Sequence, residues 1–190
     1  SRTSQALNFD AWRERSQSFE DMGAYFAFFS YLSAKLTVGT ETERLVDVMV
    51  TCRFYNTLGV QPVVGRLFLH EECIDKGPKA ALISHRLWER RFHSDRSLVG
   101  RAITINNQPV TVVGVMPASF DFGSVFSPGT RADIWTPFPL DETRNRWGNT
   151  LSGVGRLKPG VSAATAQAEM NALTRTIQRE RKDTGNSWGP

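Results

Sequence analysis

The side chains in this chain that could do chemistry are few, and their spacing decides what they can do. His70, His85 and His93 are the three histidines. His70-Glu71-Glu72-Cys73 gathers ligand-type groups, yet no His-Glu-x-x-His or Cys-x-x-Cys spacing holds them on one metal ion. On one helix His85 and His93 would stand about two turns apart, too far to share an ion without a bend. The three read as exposed or capping histidines. Ser84 and His85 are chain neighbours, which does not aim a hydroxyl at an imidazole, and no Gly-x-Ser-x-Gly elbow occurs. Cys73 has no catalytic surroundings, and Glu71, Glu72 and Asp75 read as a solvated acidic loop. Gly153-Val154-Gly155 lacks a third glycine, and no Gly-x-x-x-x-Gly-Lys-Ser/Thr loop is present, so a P-loop nucleotide site is excluded. The sequence therefore names no catalytic, cofactor-binding or metal-binding residue, and the expectation is a non-enzymatic domain.

Composition narrows the class further. The 190 residues suffice for a sizeable core, as one large domain or two small lobes, and 40% apolar with 22% charged residues is ordinary for a globular chain. The formal charge of +4 comes mainly from arginines spread along the chain, with no run of five or six like charges and no nucleic-acid motif, so no nucleic-acid partner is expected. No apolar stretch reaches the roughly 18 residues of a membrane span, and no signal peptide is seen; the start at Ser1 reads as an excised fragment. Cys52 and Cys73 permit a bridge in an extracytoplasmic setting, but two cysteines are not a disulfide framework. A buried thiol and a loop thiol is the preferred reading. Of the five tryptophans, Trp12, Trp88 and Trp135 read as core, while Trp147 and Trp188 lie in polar stretches, with Trp147 the better candidate for a partner contact.

The elements follow from local signals. Asn8 is read as the cap of a helix carrying Phe9, Trp12, Ser16 and Phe19 on one stripe, stopped by Gly23. Tyr25 to Val38 predicts one long or two short strands, and Glu43 to Thr51 a clean alternating one. Phe54 to Val60 is a short helix with Gly59 as its left-handed stop. His70 to Lys79 reads as loop and Ala80 to Ile83 as a buried strand. Ser84 then caps a helix with Leu87, Trp88, Arg91 and Phe92 on one face and Arg86, Glu89 and Arg90 toward water. A hairpin follows, with strands Ala102–Ile105 and Val110–Val115 joined at Asn106-Asn107 and stopped by Pro117. Leu87, Trp88 and Phe92 are expected to pack on the second strand. Phe122 to Ile134 predicts a loop pinned by its side chains, and Trp135 to Pro139 a stiff apolar cluster. Leu151–Leu157 is a strand candidate, and Ser162 caps a helix carrying Ala166, Met170, Leu173 and Ile177, which frays after Asp183. Gly-Arg recurs at Gly65-Arg66, Gly100-Arg101 and Gly155-Arg156, a weak hint of repetition.

Several passages, taken in order, resemble the extracytoplasmic core domain of MacB-type, FtsX-like ABC transporter permeases, as found in the long duplicated permeases of acidobacteria. They are Phe54-Tyr55-Asn56-Thr57-Leu58-Gly59-Val60-Gln61-Pro62 with Gly65-Arg66-Leu67-Phe68; Ile83 to Phe92; Val99-Gly100-Arg101; Val112 to Pro117; and Gly155 to Val161. The resemblance covers nearly all of residues 1–190 and implies an α+β fold. A porter-like lobe would carry a smaller inserted, Sabre-like lobe, lying outside the membrane between the first and second transmembrane helices. It implies that the first helix here continues a membrane helix and that a last porter strand lies beyond Pro190. The turn at Asn106-Asn107 departs from the Asn-Gly common in the family. The implied location is the periplasmic side of an inner-membrane protein. The implied partners are a cytoplasmic ABC ATPase, a second permease subunit and a periplasmic adaptor. The expected role is to transmit ATP-driven helix motion outward; the alternative is a module that binds a lipid, peptide or lipoprotein through the stretch Phe120 to Trp147.

Overall fold

The strand Ala80–Ile83 (β5) is buried at all four residues. It has a core on either face. Side chains alternate along a strand, so Ala80 and Leu82 enter one hydrophobic cluster while Ala81 and Ile83 enter a second. Its neighbours are Gln108–Val115 (β7), parallel to it, and Ile134–Pro137 (β8), antiparallel to it. A computed structural model of the chain describes residues 3–31, 33–141 and 146–183.

The second cluster sits inside a closed circuit of strands. Ser33–Val38 (β2) pairs with both Glu41–Val50 (β3) and Ala102–Ile105 (β6); β6 pairs with β7, β7 with β5, β5 with β8, and β8 with β3. Closure removes the exposed edges that open sheets must guard. Leu36 and Leu45, Ile103 and Ile105, Val112 and Val115, Ile83 and Ile134 point into this interior from six strands. Each such aliphatic side chain contributes about 1.5–3 kcal/mol when fully buried. The helix His85–Phe92 (α3) adds Leu87 and Trp88 to the same cluster, with Phe92 packed at its margin, beside Val110, Val112 and Val115 as expected.

Local chemistry explains why α3 and the hairpin form where the sequence places them. The Ser84 Oγ accepts from the Leu87 N–H at 3.1 Å, and His93 closes the helix in the left-handed region. Asn106 and Asn107 take φ of 50° and 62°, the geometry of a hairpin turn whose twist matches its strands. Gly59 stops the helix Phe54–Leu58 (α2) at φ 72°.

The first cluster lies on the other face of β5, β7, β8 and β3, and extends to the pair Phe19–Phe26 (β1) and Leu151–Leu157 (β9). A two-residue strand, Val64–Gly65 (β4), pairs with β7. The helices Ala6–Arg15 (α1) and Ala163–Asp183 pack against each other, α1 also meets β9, and α2 packs on β1 and β9. A short helix, Phe122–Phe126 (α4), precedes β8, so the final helix is α5.

Several expectations are corrected. Asn8 lies inside α1, whose N-cap is Gln5, and the chain is already a strand at Phe19. Gly23 does not stop a helix: it sits in β1, where an added Cβ would come within 2.6 Å of the Phe54 Cα. Its role is to let α2 lie on the strand. Tyr25 belongs to β1, and the 3₁₀ turn Phe29–Tyr31 separates that strand from β2. The apolar cluster at Trp135 is strand β8, parallel to β3, and the preceding loop contains α4. The Gly-Arg pairs are not one repeated geometry, since Gly65 and Gly100 have positive φ and Gly155 does not. The fraying expected after Asp183, part of the polar stretch Asp141 to Asn149, and Trp188 fall outside the described residues.

Candidate functional site

The polar groups of the protein act between elements, beginning where α1 turns into β1. The Glu169 carboxylate of α5 accepts from the backbone N–H groups of Gln17 at 2.6 Å and Ser18 at 2.9 Å. Contacts to Ser18 and Gln17 hold its pKa below the ordinary value. Arg15 donates to both carboxylate oxygens of Glu180. Half-exposed pairs of this kind contribute only about 0.2–1 kcal/mol, so the clamp's strength comes from what lies beneath it. Phe9 is fully buried and lies against Gly153 of β9, while the Phe19 ring covers Gly155 so closely that a Cβ there would sit 2.4 Å away. The helix α1 is thus seated on the β1–β9 pair, and α5 packs on α1.

A second node joins α3 to the strands. Asp133, 5% exposed, accepts from Arg86 at 2.7 Å, Arg90 at 3.3 Å and the Val46 N–H at 3.1 Å. Arg90 also pairs with Glu43, and Arg91 with Glu41 and Glu43. The polar face of α3 therefore meets acids of β3 and of the residue before β8, where water alone was expected. His85 pairs with Glu89 on the same helix at 3.3 Å.

Near this node Asp47 is shifted toward the neutral form. Burial between β3 and β8 pushes its carboxyl up to about 7, against the lowering effect of the Thr136 hydroxyl, which donates to it at 3.0 Å. The unfolded carboxyl keeps a pKa near 3.8, so between about pH 4 and 7 the folded state binds more protons than the unfolded state. This contribution to stability is complete at low pH and is lost as pH rises through about 7. Asp47→Asn should therefore raise the melting temperature at pH 7.5 and leave it little changed at pH 4. Equal shifts at both pH values, read by scanning calorimetry, would remove the titration from the account.

Cys52 and Cys73 are bonded to each other, with Cα atoms 5.7 Å apart, correcting the preference for two separate thiols. The bridge ties the end of β3 to the 3₁₀ turn His70–Cys73. Glu72 in that turn is buried, not solvated: it accepts from both terminal nitrogens of Arg66 and from the Leu69 N–H. Burial raises its pKa, yet these donors outweigh that and leave it lowered. No spacing signal could have shown this, because partners 21 residues apart are brought together by β3 and its return path.

The aromatic residues gather at one end of β1. Tyr25, Phe29, Phe54, Phe122 and Phe126 pack ring to ring on one side. Phe26 is touched by Phe28, Phe138 and Trp147 on the other. Phe28 and Trp147 are each 43% exposed. Trp88 and Trp135 lie in the core as expected, and Trp12 is partly buried against it.

Among the described residues no cluster of three or more His, Cys, Asp or Glu could hold a metal ion, and no helix is long and apolar enough to cross a membrane. The fold is that of the extracytoplasmic domains of ABC-type permeases. It superposes on the periplasmic region of MacB from Actinobacillus actinomycetemcomitans with a TM-score of 0.66 at 12% identity, over 100% of this chain and 86% of that one. It superposes on the extracellular domain of the noncanonic ABC-type transporter YknZ from Gram-positive bacteria with a TM-score of 0.63 at 16% identity, over 93% and 85% of the two chains.

The chain belongs to the MacB-like periplasmic core domain family, whose model matches residues 3–173. It is 25% identical over 132 residues to the macrolide export ATP-binding/permease protein MacB of Burkholderia lata, covering 69% of this chain. It is 26% identical over 132 residues to the protein of that name in Burkholderia cenocepacia, covering 68% of this chain. The chain spans 18% of the length of each of these relatives. It is a periplasmic domain of the MacB-like permease type, and that family is not a class of enzymes.

Proposed function

We propose that this domain transmits ATP-driven movement of membrane helices in its parent permease to the periplasm, toward export or toward a partner there. The observation that carries the reading is the clamp of α5 on the link between α1 and β1. Glu169 and Arg15 hold α5 to α1 and its link to β1, the buried Phe9 holds α1 to β9, and β1 pairs with the closed strand circuit through β3. A displacement applied to the helices then moves the packed body as a unit, because close-packed interiors transmit strain. In this reading the closed circuit is the inserted lobe and the β1–β9 pair with its helices is the porter-like lobe. A cytoplasmic ABC ATPase supplies the motion; a second permease copy and a periplasmic adaptor are its further partners. The test is to express the parent permease with its ATPase and remove this domain: transport or signalling should be lost, and unchanged output would overturn the mechanical role.

The exposed aromatic end favours a second reading, in which the domain also holds an apolar ligand or a lipoprotein partner. Phe28 and Trp147 stand out from a floor of Phe26 and Phe138. Saturable binding of a detergent-solubilised lipid or lipopeptide by the isolated domain, weakened at least about ten-fold by Trp147→Ala, is the expected result. Undiminished binding by that variant would place the contact elsewhere.

A further inference from the structure

The closed circuit is covered unevenly on its outside. The first cluster packs on the outer face of β5, β7, β8 and β3 from Val46 onward, and takes no side chain from β2 or β6. Leu36, Leu45 and Ile105 point inward, so by alternation Lys35, Thr37, Thr42, Arg44 and Thr104 face out. All but the half-buried Thr37 are exposed. The register sets Lys35 directly opposite Arg44, and Thr37 opposite both Thr42 and Thr104.

The Lys35–Arg44 pair is of the closer kind. The Lys35 N–H donates to the Asn106 Oδ1 at 2.8 Å, and the Lys35 carbonyl accepts from the Asn106 N–H at 2.9 Å. Both backbone groups of Lys35 are thus turned toward the β6–β7 turn and away from β3. That makes Lys35 and Arg44 a non-hydrogen-bonded pair, where cross-strand side chains stand closest, with Cβ atoms about 4.5–5.5 Å apart. Like charges directly opposite are destabilising. No carboxylate relieves them: among the described residues neither cation has an ion pair. Glu41 and Glu43 of the same strand turn to the opposite face, where Arg90 and Arg91 hold them.

We propose that this wall is a docking face for an acidic segment of a partner protein, one that carries Asp or Glu at alternate positions. In an extended segment such residues share a face at a spacing of about 6.6–6.8 Å, which the long Lys35 and Arg44 side chains reach. The threonine row beside them offers hydroxyls that both donate and accept, so the segment finds polar partners along its length. The wall needs no ordering on binding, because β2 is paired on both sides and its backbone is already fixed. A membrane surface fits less well. Neither row carries a large apolar side chain, and segments held at anionic membranes present clusters of about four to eight basic residues. The inference needs neither the transmission role nor the aromatic ligand site, so each can fail without the others.

A fluorescently labelled peptide of alternating Glu and Thr, titrated into the 190-residue chain at low ionic strength, tests it. The peptide should bind saturably, and the Lys35→Gln/Arg44→Gln double variant should bind it at least about ten-fold more weakly. The same peptide with Gln in place of Glu should not bind. Each single variant should melt no lower than the unsubstituted chain, since it removes one of two like charges; a clear fall in melting temperature overturns the premise. Absence of binding, or binding indifferent to the double substitution, overturns the proposal. Retention on vesicles of phosphatidylglycerol and phosphatidylethanolamine that is lost in the double variant overturns it in favour of a membrane. Concentration-dependent dimerisation lost in that variant overturns it in favour of a second copy.

Discussion

Replacing Trp88 by alanine should lower the unfolding free energy by about 3–5 kcal/mol, the range for removing a large aromatic from a core. Trp88 is 7% exposed and belongs to the hydrophobic cluster to which all six strands of the closed circuit contribute side chains. Its indole N–H donates to the Asp95 carbonyl at 2.9 Å, and the His85 ring meets it edge-on. The substitution therefore empties a cavity and leaves the Asp95 carbonyl without its indole donor. Closure makes the loss hard to relax, because strands paired on both sides cannot shift inward independently. Urea unfolding measures it, with each kcal/mol worth about 2–4 °C of melting temperature at this chain length. A variant within about 1 kcal/mol of the parent chain would show that the circuit is not held by this indole.

Opening the Cys52–Cys73 bridge should cost about 3 kcal/mol, the loop-closure value for a bridge spanning a separation of 21 residues. The oxidising periplasm is where such a bridge persists. The Cys52→Ser/Cys73→Ser double variant should show a lower urea midpoint than the oxidised chain. Reductant added to the unsubstituted chain should move its midpoint to match. The two treatments agree only if the bridge itself is responsible and serine adds no burial cost at Cys73. A midpoint insensitive to reductant would mean that Arg66, Glu72 and the packing of Phe68 hold the turn unaided.

The elements that the sequence predicted well share one property: their signals are local. Ser84, Leu87 and His93 define α3 within ten residues, and Asn106-Asn107 define the hairpin within two. Gly59 ends α2 by its own φ. The ordered motifs from Phe54 to Val161 likewise pointed to the family that the residues 3–173 match establishes. What was misread depends on partners far along the chain. Residues 19–22 looked like the end of a helix, and become the start of strand β1 because Leu151–Leu157 pairs with it. Trp135-Thr136-Pro137 looked too proline-bound for a strand, yet it pairs with β3 across nearly ninety residues, with Pro137 at its last position where the missing N–H costs little.

The sequence by itself determined the local elements, the absence of recognised catalytic, P-loop and zinc spacings, and the kind of protein to which the chain belongs, because each is written in short spans of residue type. Only the tertiary structure decided that six strands close on themselves around Trp88, that Cys52 meets Cys73, that Asp133 gathers two arginines, and that Glu169 clamps the entrance to β1. The reason is physical. Pairing of distant strands follows from the free energy of burying two cores on opposite faces of one sheet, a sum over the whole chain that no window of neighbouring residues contains.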